Sequence, residues 1–272
     1  MSLISIGDAE IYTEMHGVGT DLLLVPGLGG RAQFWKEQVL PLSAHFRVVL
    51  HDHRGVGRSS KSDIVYAAPQ MAEDLLRVMD GLKIDSAHLI GHSTGGAIGQ
   101  HIALKYPGRI KRLVLSASWA GPDALFLQMF ETRRRVLEHC GPLDYLVMGT
   151  LLATPGWYLQ SQFSASNAFL TDRLKDFAGL QTELSRIDAV KSHDLRDLVH
   201  NIRHPTLVIG ARDDQITPPG FSEELARLIP GAQLTILAEG GHFCPMTVAE
   251  LYNTRILKFL REGDDAVESR QN

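Results

Sequence analysis

Short, continuous apolar runs recur along the chain, and segments with apolar residues at helical spacing separate them. Such runs are typical of strands that are buried on both faces of a parallel sheet. The predicted strands are 21–25, 46–50, 87–90, 110–117, 206–209 and 233–237. The predicted helices are 32–40, 72–82, 97–106, 221–229 and 248–260. This alternation predicts a parallel α/β sheet with right-handed crossovers.

The pattern departs from this alternation in two places. Residues 3–6 and 10–16 alternate apolar and polar positions around a Gly-Asp turn, which predicts an antiparallel hairpin at one sheet edge. Helical periodicity dominates from residue 121 onward, with predicted helices at 124–139, 143–152, 157–170 and 174–192. We therefore predict an α/β fold with a mostly parallel eight-stranded sheet, helices on both faces and an inserted helical cap.

These elements predict a division of the chain into a core and a cap. Residues 1–120 and 204–262 are the two parts of the α/β core, and residues 121–203 are the cap. Residues 263–272 are charged and small, and we predict a flexible tail there.

Composition and charge narrow the class of protein. The chain has 31 acidic and 27 basic residues and no long basic block, so no nucleic-acid partner is predicted. Neither a signal peptide nor an apolar run of membrane-spanning length is evident, and Cys140 and Cys244 lie far apart, as expected for free thiols. No CxxC pair or histidine array suggests a metal. The prediction is a cytoplasmic protein with a small-molecule substrate, without metal or cofactor and without membrane association.

The most informative motif is the Gly-His-Ser-Thr-Gly segment centred on Ser93. It lies where a predicted strand passes into a predicted helix within very few residues, so the backbone must turn sharply and expose the serine. Gly91 and Gly95 would avoid collisions with the neighbouring elements. An ordinary helix N-cap is the structural alternative for this segment.

A glycine-rich loop, residues 26–30, follows the predicted strand 21–25. It is either a flexible turn or half of an oxyanion hole that directs a backbone N–H toward Ser93. In the second interpretation the two donors are the N–H groups of Leu28 and Thr94.

Two further candidates follow predicted parallel strands, whose carboxyl ends share one sheet edge. His242 could remove the proton of Ser93, and a carboxylate on the far side of its imidazole would fix its tautomer. Asp213 and Asp214 both lie in the loop after the strand 206–209. Asp123, in the loop after the preceding strand, is a further candidate acid whose alternative is a helix N-terminus.

The order Ser93, Asp214, His242 resembles the α/β-hydrolase superfamily over nearly the whole chain. In that superfamily Asp-x-x-Thr/Val-Pro is frequent after the acid strand, which favours Asp214 over Asp213. Haloalkane dehalogenases and epoxide hydrolases resemble the chain in fold but place an aspartate where Ser93 stands, so those chemistries are disfavoured.

Within the superfamily the chain resembles 3-oxoadipate enol-lactonases and the aminoacrylate hydrolases of pyrimidine breakdown, the latter around residues 91–107, 133–137 and 241–242. The resemblance implies a serine hydrolase that cleaves a small carboxylic ester or enol-lactone through an acyl-enzyme. Amide or carbamate hydrolysis, C–C hydrolysis of ring-cleavage diketones and a non-catalytic ligand receptor are the alternatives.

Three consecutive arginines, Arg133 to Arg135, lie in the first predicted cap helix. The simplest interpretation is a solvated helix face, and the alternative is that one of them receives a substrate carboxylate. In the loop after strand 46–50, Asp52 and Arg54 are predicted to tie the backbone by hydrogen bonds rather than to perform chemistry.

Overall fold

One eight-stranded sheet organises the molecule, with strand order β1-β2-β4-β3-β5-β6-β7-β8. The computed structural model describes residues 1–262, except for the side chains of residues 163–166 and 169. The strands are β1 (Ser2–Ser5), β2 (Glu10–His16), β3 (Asp21–Val25), β4 (Arg47–His51), β5 (Ala87–His92), β6 (Ile110–Ser116), β7 (Thr206–Ala211) and β8 (Gln233–Leu237). Only the pairs β1·β2 and β2·β4 are antiparallel among the described residues. The predicted fold class, with its edge hairpin, is confirmed.

Helices cover both faces of the sheet. They are α1 (Lys36–Ser43), α2 (Ala68–Gly81), α3 (Thr94–Lys105), α9 (Pro219–Leu228), α10 (Cys244–Thr247) and α11 (Ala249–Arg261). Successive residues of β3 face opposite sides, so Leu22 packs in one apolar cluster and Leu23 in the other. Burial on both sides explains why the central strands are predominantly apolar.

Five helices lie between β6 and β7, and we call them the helical insertion. They are α4 (Ala124–Cys140), α5 (Pro142–Ala153), α6 (Gly156–Ser161), α7 (Phe163–Lys175) and α8 (Leu180–Ser192). Phe126, Tyr145 and Ile187 pack in an apolar cluster of the insertion. The chain enters and leaves this segment at one place, because Leu195 N donates a hydrogen bond of 2.7 Å to Ala120 O.

The exact domain division, at residues 121 and 203, stays a prediction. The predicted flexible tail, residues 263–272, lies outside the described residues.

Several predicted helix boundaries are wrong for identifiable reasons. The helix predicted at 72–82 begins at Ala68 with Pro69 in its first turn, where proline is well accepted. The helix predicted at 32–40 opens with a 3-10 turn and continues to Ser43. The stretch predicted as 157–170 is two helices, α6 and α7. The helix predicted from residue 174 begins only at Leu180, after Gly179 with φ of 101°.

Among residues 1–262, no helix is long and apolar enough to cross a membrane. The same residues hold no group of three or more His, Cys, Asp or Glu side chains placed to bind a metal ion. Cys140 is exposed and Cys244 is buried, and both are free thiols.

Candidate active site

Ser93 occupies the sharp turn between β5 and α3. Its φ of 53° and ψ of −117° lie where side chains other than glycine are strained, typically by about 1–3 kcal/mol. A Cβ at Gly91 would overlap the carbonyl oxygen of Gly95, and a Cβ at Gly95 would overlap that of Val25. The turn is held by a 2.8 Å hydrogen bond from Ser93 N to Ser116 O on the neighbouring strand. The two glycines are therefore required by close backbone approach, and the segment is more than an ordinary N-cap.

His242 and Asp214 lie in contact, each in a loop after its strand. His242 Nδ1 is 2.9 Å from Asp214 Oδ2, and both side chains are almost fully buried. The other carboxylate oxygen accepts the backbone N–H groups of Ile216 and Thr217, at 2.8 and 2.9 Å. Thr217 Oγ1 also donates to Asp214 Oδ2 at 2.8 Å. The carboxylate is thus fixed in direction, and it holds one nitrogen of the imidazole while leaving Nε2 for other partners.

The other candidate acids have different partners. Asp213 is exposed, and its Oδ1 accepts the backbone N–H of Gly241 at 2.8 Å. Asp123 is the N-cap of α4 and accepts the backbone N–H of Phe126 at 2.7 Å. Asp213 and Asp123 therefore each accept a hydrogen bond from a backbone N–H, whereas Asp214 contacts Nδ1 of His242.

The two predicted oxyanion donors are the N–H of Leu28, in the loop after β3, and the N–H of Thr94, at the start of α3. The glycine-rich loop lines the cavity above Ser93, and the N–H of its Leu28 has no acceptor among the described residues. Thr94 is the first residue of α3, where N–H groups have no acceptor within the helix and the helix dipole is positive. Both groups are therefore available to a negatively charged oxygen.

A cavity of about 80 Å³ lies over Ser93 and His242. Leu28, Ser93 and His242 line its floor, and Asp214 lies behind His242. The helical insertion contributes Phe130, Arg133, Gly149, Ala153 and Arg173 to the walls. A concave site with apolar walls and a few convergent polar and charged groups is typical of small-molecule binding.

Comparison with known proteins assigns the chain to a family. The family model described as alpha/beta hydrolase fold matches residues 21–247. The chain belongs to the alpha/beta hydrolase family. The superfamily resemblance predicted from the sequence is confirmed.

Relatives of this α/β-hydrolase include enzymes with several named activities. A protein of Azorhizobium caulinodans named putative carbamate hydrolase RutD is 35% identical over 95% of this chain and 97% of its own. The crystal structure of the enol-lactonase from Burkholderia xenovorans LB400 superposes with a TM-score of 0.89 at 26% identity, over 96% of this chain and 100% of its own. A thermophilic esterase from Thermogutta terrifontis superposes with a TM-score of 0.82 at 26% identity, over 96% of this chain and 98% of its own. Together these findings support a hydrolase.

The three consecutive arginines of the α/β-hydrolase have different environments. Arg133 is buried against the cavity, which corrects the prediction of a solvated face at this position. Its guanidinium lies 5.0 Å from the ring centres of Phe130 and Tyr145, and its Nε has no hydrogen-bond partner in the described part of the chain. Arg134 binds Asp188 at 2.8 Å on the surface, and Arg135 is exposed.

Sequence reasoning missed two residues of the α/β-hydrolase cavity. Arg173 lies at the end of α7, and burial lowers its pKa. No motif marks it. His92 packs on Phe34 at 4.6 Å between ring centres and lies 4.9 Å from the His242 ring. Burial and the neighbouring His242 hold the pKa of His92 well below its usual range, so this ring is neutral. Its position next to Ser93 in the motif is the signal that could have identified it.

The loop after β4 has the structural role predicted for it. Asp52 accepts the backbone N–H of Ala32 at 2.8 Å, which joins this loop to the start of the helix after β3. Arg54 is buried and binds the carboxylates of Asp8 and Asp74. Neither Asp52 nor Arg54 lines the cavity described above.

Proposed function

We propose that this α/β-hydrolase is a serine hydrolase in which Ser93 is the nucleophile, His242 the general base and Asp214 the residue that orients it. The observation that carries the proposal is the 2.9 Å contact of Asp214 Oδ2 with His242 Nδ1 at a cavity that Ser93 also lines. A serine hydroxyl is hardly ionised at neutral pH, so it needs a base at the moment of attack. The buried carboxylate keeps His242 Nδ1 protonated and stabilises the imidazolium that forms.

The proposed reaction has two halves. Ser93 Oγ attacks the substrate carbonyl carbon while its proton passes to His242 Nε2, and an electron pair moves onto the carbonyl oxygen. The N–H groups of Leu28 and Thr94 stabilise this oxyanion. The carbonyl then re-forms, the bond to the leaving group breaks, and His242 gives its proton to that group. In the second half, water attacks the acyl-enzyme by the same route and releases the acid and free Ser93.

A substrate that carries a carboxylate suits this cavity. Arg133 is a buried cation whose guanidinium has ring contacts but no carboxylate partner among the described residues. A buried charge without a counter-ion is costly, and a bound carboxylate would offset that cost. Arg173 adds a second positive charge to the same wall. We therefore propose a small anionic substrate, and the predicted cytoplasmic location suits a metabolite of this kind.

The leaving group separates two candidate functions. The carbamate C–N bond is the first candidate, because the relative named putative carbamate hydrolase RutD is 35% identical and aligned over nearly the full length of both chains. A carboxylic ester or enol-lactone, the bond predicted from the sequence, is the second candidate. The enol-lactonase with a TM-score of 0.89 favours it, although the identity is only 26%. Both bonds suit the same acyl-transfer chemistry.

The first test compares wild type with Ser93→Ala on matched substrates. Each acyl group is presented as an ester and as a carbamate, with and without a terminal carboxylate. We expect turnover that falls by at least about 10³-fold in Ser93→Ala, because the nucleophile is removed while the turn tolerates the smaller side chain. Equal turnover by both proteins would refute the covalent mechanism. Release of a carbon acid from a ring-cleavage diketone, rather than an amine or alcohol, would instead identify the C–C alternative.

Arg133→Met tests the proposed carboxylate contact. We expect KM for carboxylate-bearing substrates to rise by about 10- to 100-fold, as for loss of a charged hydrogen bond, and KM for uncharged analogues to stay unchanged. Steady-state kinetics on the matched pairs measure this difference. Arg134→Met is the control, because Arg134 pairs with Asp188 on the surface. An equal rise in KM for charged and uncharged substrates would show that Arg133 acts only by packing.

A further inference from the structure

Arg186, on helix α8 of the insertion, is an ionisable side chain that the proposed reaction does not use. It is fully buried, with 0% exposure. Its nearest carboxylate oxygen is Glu183 Oε2, 3.9 Å from its Nε, and that Nε has no hydrogen-bond partner among the described residues. Burial lowers the pKa of Arg186, which is the direction expected when a cation is removed from water. A cation held in this way needs other partners.

The partners of Arg186 lie on two loops of the core. Its Nη2 donates to the carbonyl oxygen of Leu28 at 2.5 Å, in the glycine-rich loop. Its Nη1 lies 3.4 Å from the carbonyl oxygen of Arg54, in the loop after β4. Nη2 is also 3.3 Å from Nδ1 of His53, which can accept this hydrogen bond because burial, His51 and Arg186 hold the pKa of His53 well below its usual range.

The glycine-rich loop is shaped to admit this guanidinium. Gly30 has a φ of 67°, and a Cβ there would lie only 2.8 Å from Arg186 Nη2. The loop is closed by a 2.9 Å hydrogen bond from Gly30 N to Gly27 O, and it is joined to the β4 loop by a 2.7 Å bond from His53 N to Gly30 O. Arg186 therefore completes a hydrogen-bonded junction of three segments from different parts of the chain.

We propose that Arg186 is a positioning residue that couples the helical insertion to the oxyanion hole. The Leu28 carbonyl that it binds and the Leu28 N–H belong to the two peptide groups that meet at the Leu28 Cα. Fixing the carbonyl therefore restricts rotation about the backbone bonds of Leu28 and, with it, the direction of its N–H. The proposal rests on the proposed function, because it concerns the group that stabilises the oxyanion. Oxyanion stabilisation depends on donors fixed in direction before the charge develops.

The test compares Arg186→Met and Arg186→Lys with Ser185→Ala. Ser185 is the neighbour of Arg186 on α8, and its Oγ accepts the backbone N–H of Tyr66 at 2.8 Å. Ser185→Ala therefore removes a different bond between the insertion and the core. Arg186→Lys retains the charge but lacks the fork that reaches two carbonyl groups, and it serves if Arg186→Met does not fold.

The first readout is amide hydrogen exchange of the peptide that covers residues 26–31. We expect exchange there to accelerate by at least about tenfold in the Arg186 variants and to stay unchanged in Ser185→Ala. Unchanged exchange in a folded Arg186 variant would overturn the proposal. This readout needs no substrate, so it stands apart from the test of Ser93→Ala.

The second readout is catalytic. We expect kcat to fall by about 10²-fold with little change in KM, as for a misplaced transition-state contact. Affinity for a trifluoromethyl ketone, which forms an oxyanion adduct with a reactive serine, should fall in parallel, while affinity for the carboxylate product should not. A loss of kcat of equal size in Ser185→Ala, or unchanged kcat in the Arg186 variants, would overturn the proposal. Wild-type activity that survives Ser93→Ala would instead refute the proposed function.

Discussion

At the scale of single residues, neighbours in the sequence have separate roles. Asp213 and Asp214 are adjacent, yet one binds the backbone of Gly241 and the other binds the ring of His242. The difference follows from the turn after β7, where Asp214 is buried and accepts two backbone N–H groups and Asp213 points to solvent. Charge alone does not distinguish the two carboxylates, but their hydrogen-bond partners do.

Replacing each carboxylate by an amide tests these roles. Asp214→Asn is expected to lower kcat by about 10³- to 10⁴-fold, because an amide can select the wrong tautomer of His242 and cannot stabilise its imidazolium. Asp213→Asn is the matched control and is expected to change kcat by less than about tenfold. Steady-state kinetics with thermal unfolding of both variants separate rate from stability. A larger loss of kcat in Asp213→Asn than in Asp214→Asn would show that Asp213, and not Asp214, orients His242.

At the scale of elements, the passage from β5 to α3 is closely constrained by its backbone contacts. Both glycines that flank Ser93 face backbone carbonyls, which cannot move without shifting a strand or a helix. The sequence contains glycines without such neighbours, and Gly108 is one, since a Cβ there would meet nothing within 4 Å. The loss of stability on replacing a glycine therefore depends on what surrounds it in the fold and not on its being a glycine.

Gly95→Ala is expected to prevent soluble folding or to lower the free energy of unfolding by more than about 4 kcal/mol, because the added carbon overlaps Val25 O of β3. Gly108→Ala should be within about 1 kcal/mol of wild type. Soluble yield and chemical denaturation measure both. A stable, folded Gly95→Ala would contradict this prediction, because β3 and α3 would then leave room for a methyl group at this position.

The sheet could be predicted from the sequence because strands buried on both faces consist mainly of apolar residues. The strand predicted at 206–209 ends only two residues before the observed end at Ala211. The helices of the insertion are harder to predict from the sequence. The break between α6 and α7 at Gln162, for example, contains no glycine or proline. Helical periodicity indicates that Arg133 and Arg134 point in different directions from α4. It does not show which of these directions leads to the cavity. The burial of Arg186 depends on contacts between distant segments, which no local pattern encodes.

At the scale of the whole molecule, buried neutral histidines make the free energy of unfolding depend on pH. Burial lowers the pKa of His51 to about 4 and that of His193 to about 3, and those of His53 and His92 fall well below their usual range. The unfolded chain binds protons at these groups below about pH 6.5 and the folded chain does not. Stability therefore falls as the pH falls from 6.5 toward 4.

Each such histidine should lower the free energy of unfolding by about 1.4 kcal/mol per pH unit in that range. His193→Phe removes one of them and keeps an aromatic ring beside Trp119 and His101. We expect a shallower loss of stability between pH 6.5 and 4 in this variant, measured by denaturation at several pH values. His139→Gln, at an exposed position, is the control and should leave the slope unchanged. Equal slopes in His193→Phe and wild type would contradict the prediction.

The hydrogen bond from Leu195 N to Ala120 O joins the two ends of the helical insertion, and we call this pair of residues its neck. A segment that leaves and returns at one point can be lengthened, shortened or exchanged without moving the strands on either side. The entropy of closing the neck changes only slowly with the length of chain beyond it. Relatives that have diverged in substrate are therefore expected to differ most between these two residues and to retain the sheet beneath. Grafting a relative's segment at this neck is the corresponding route to a new specificity.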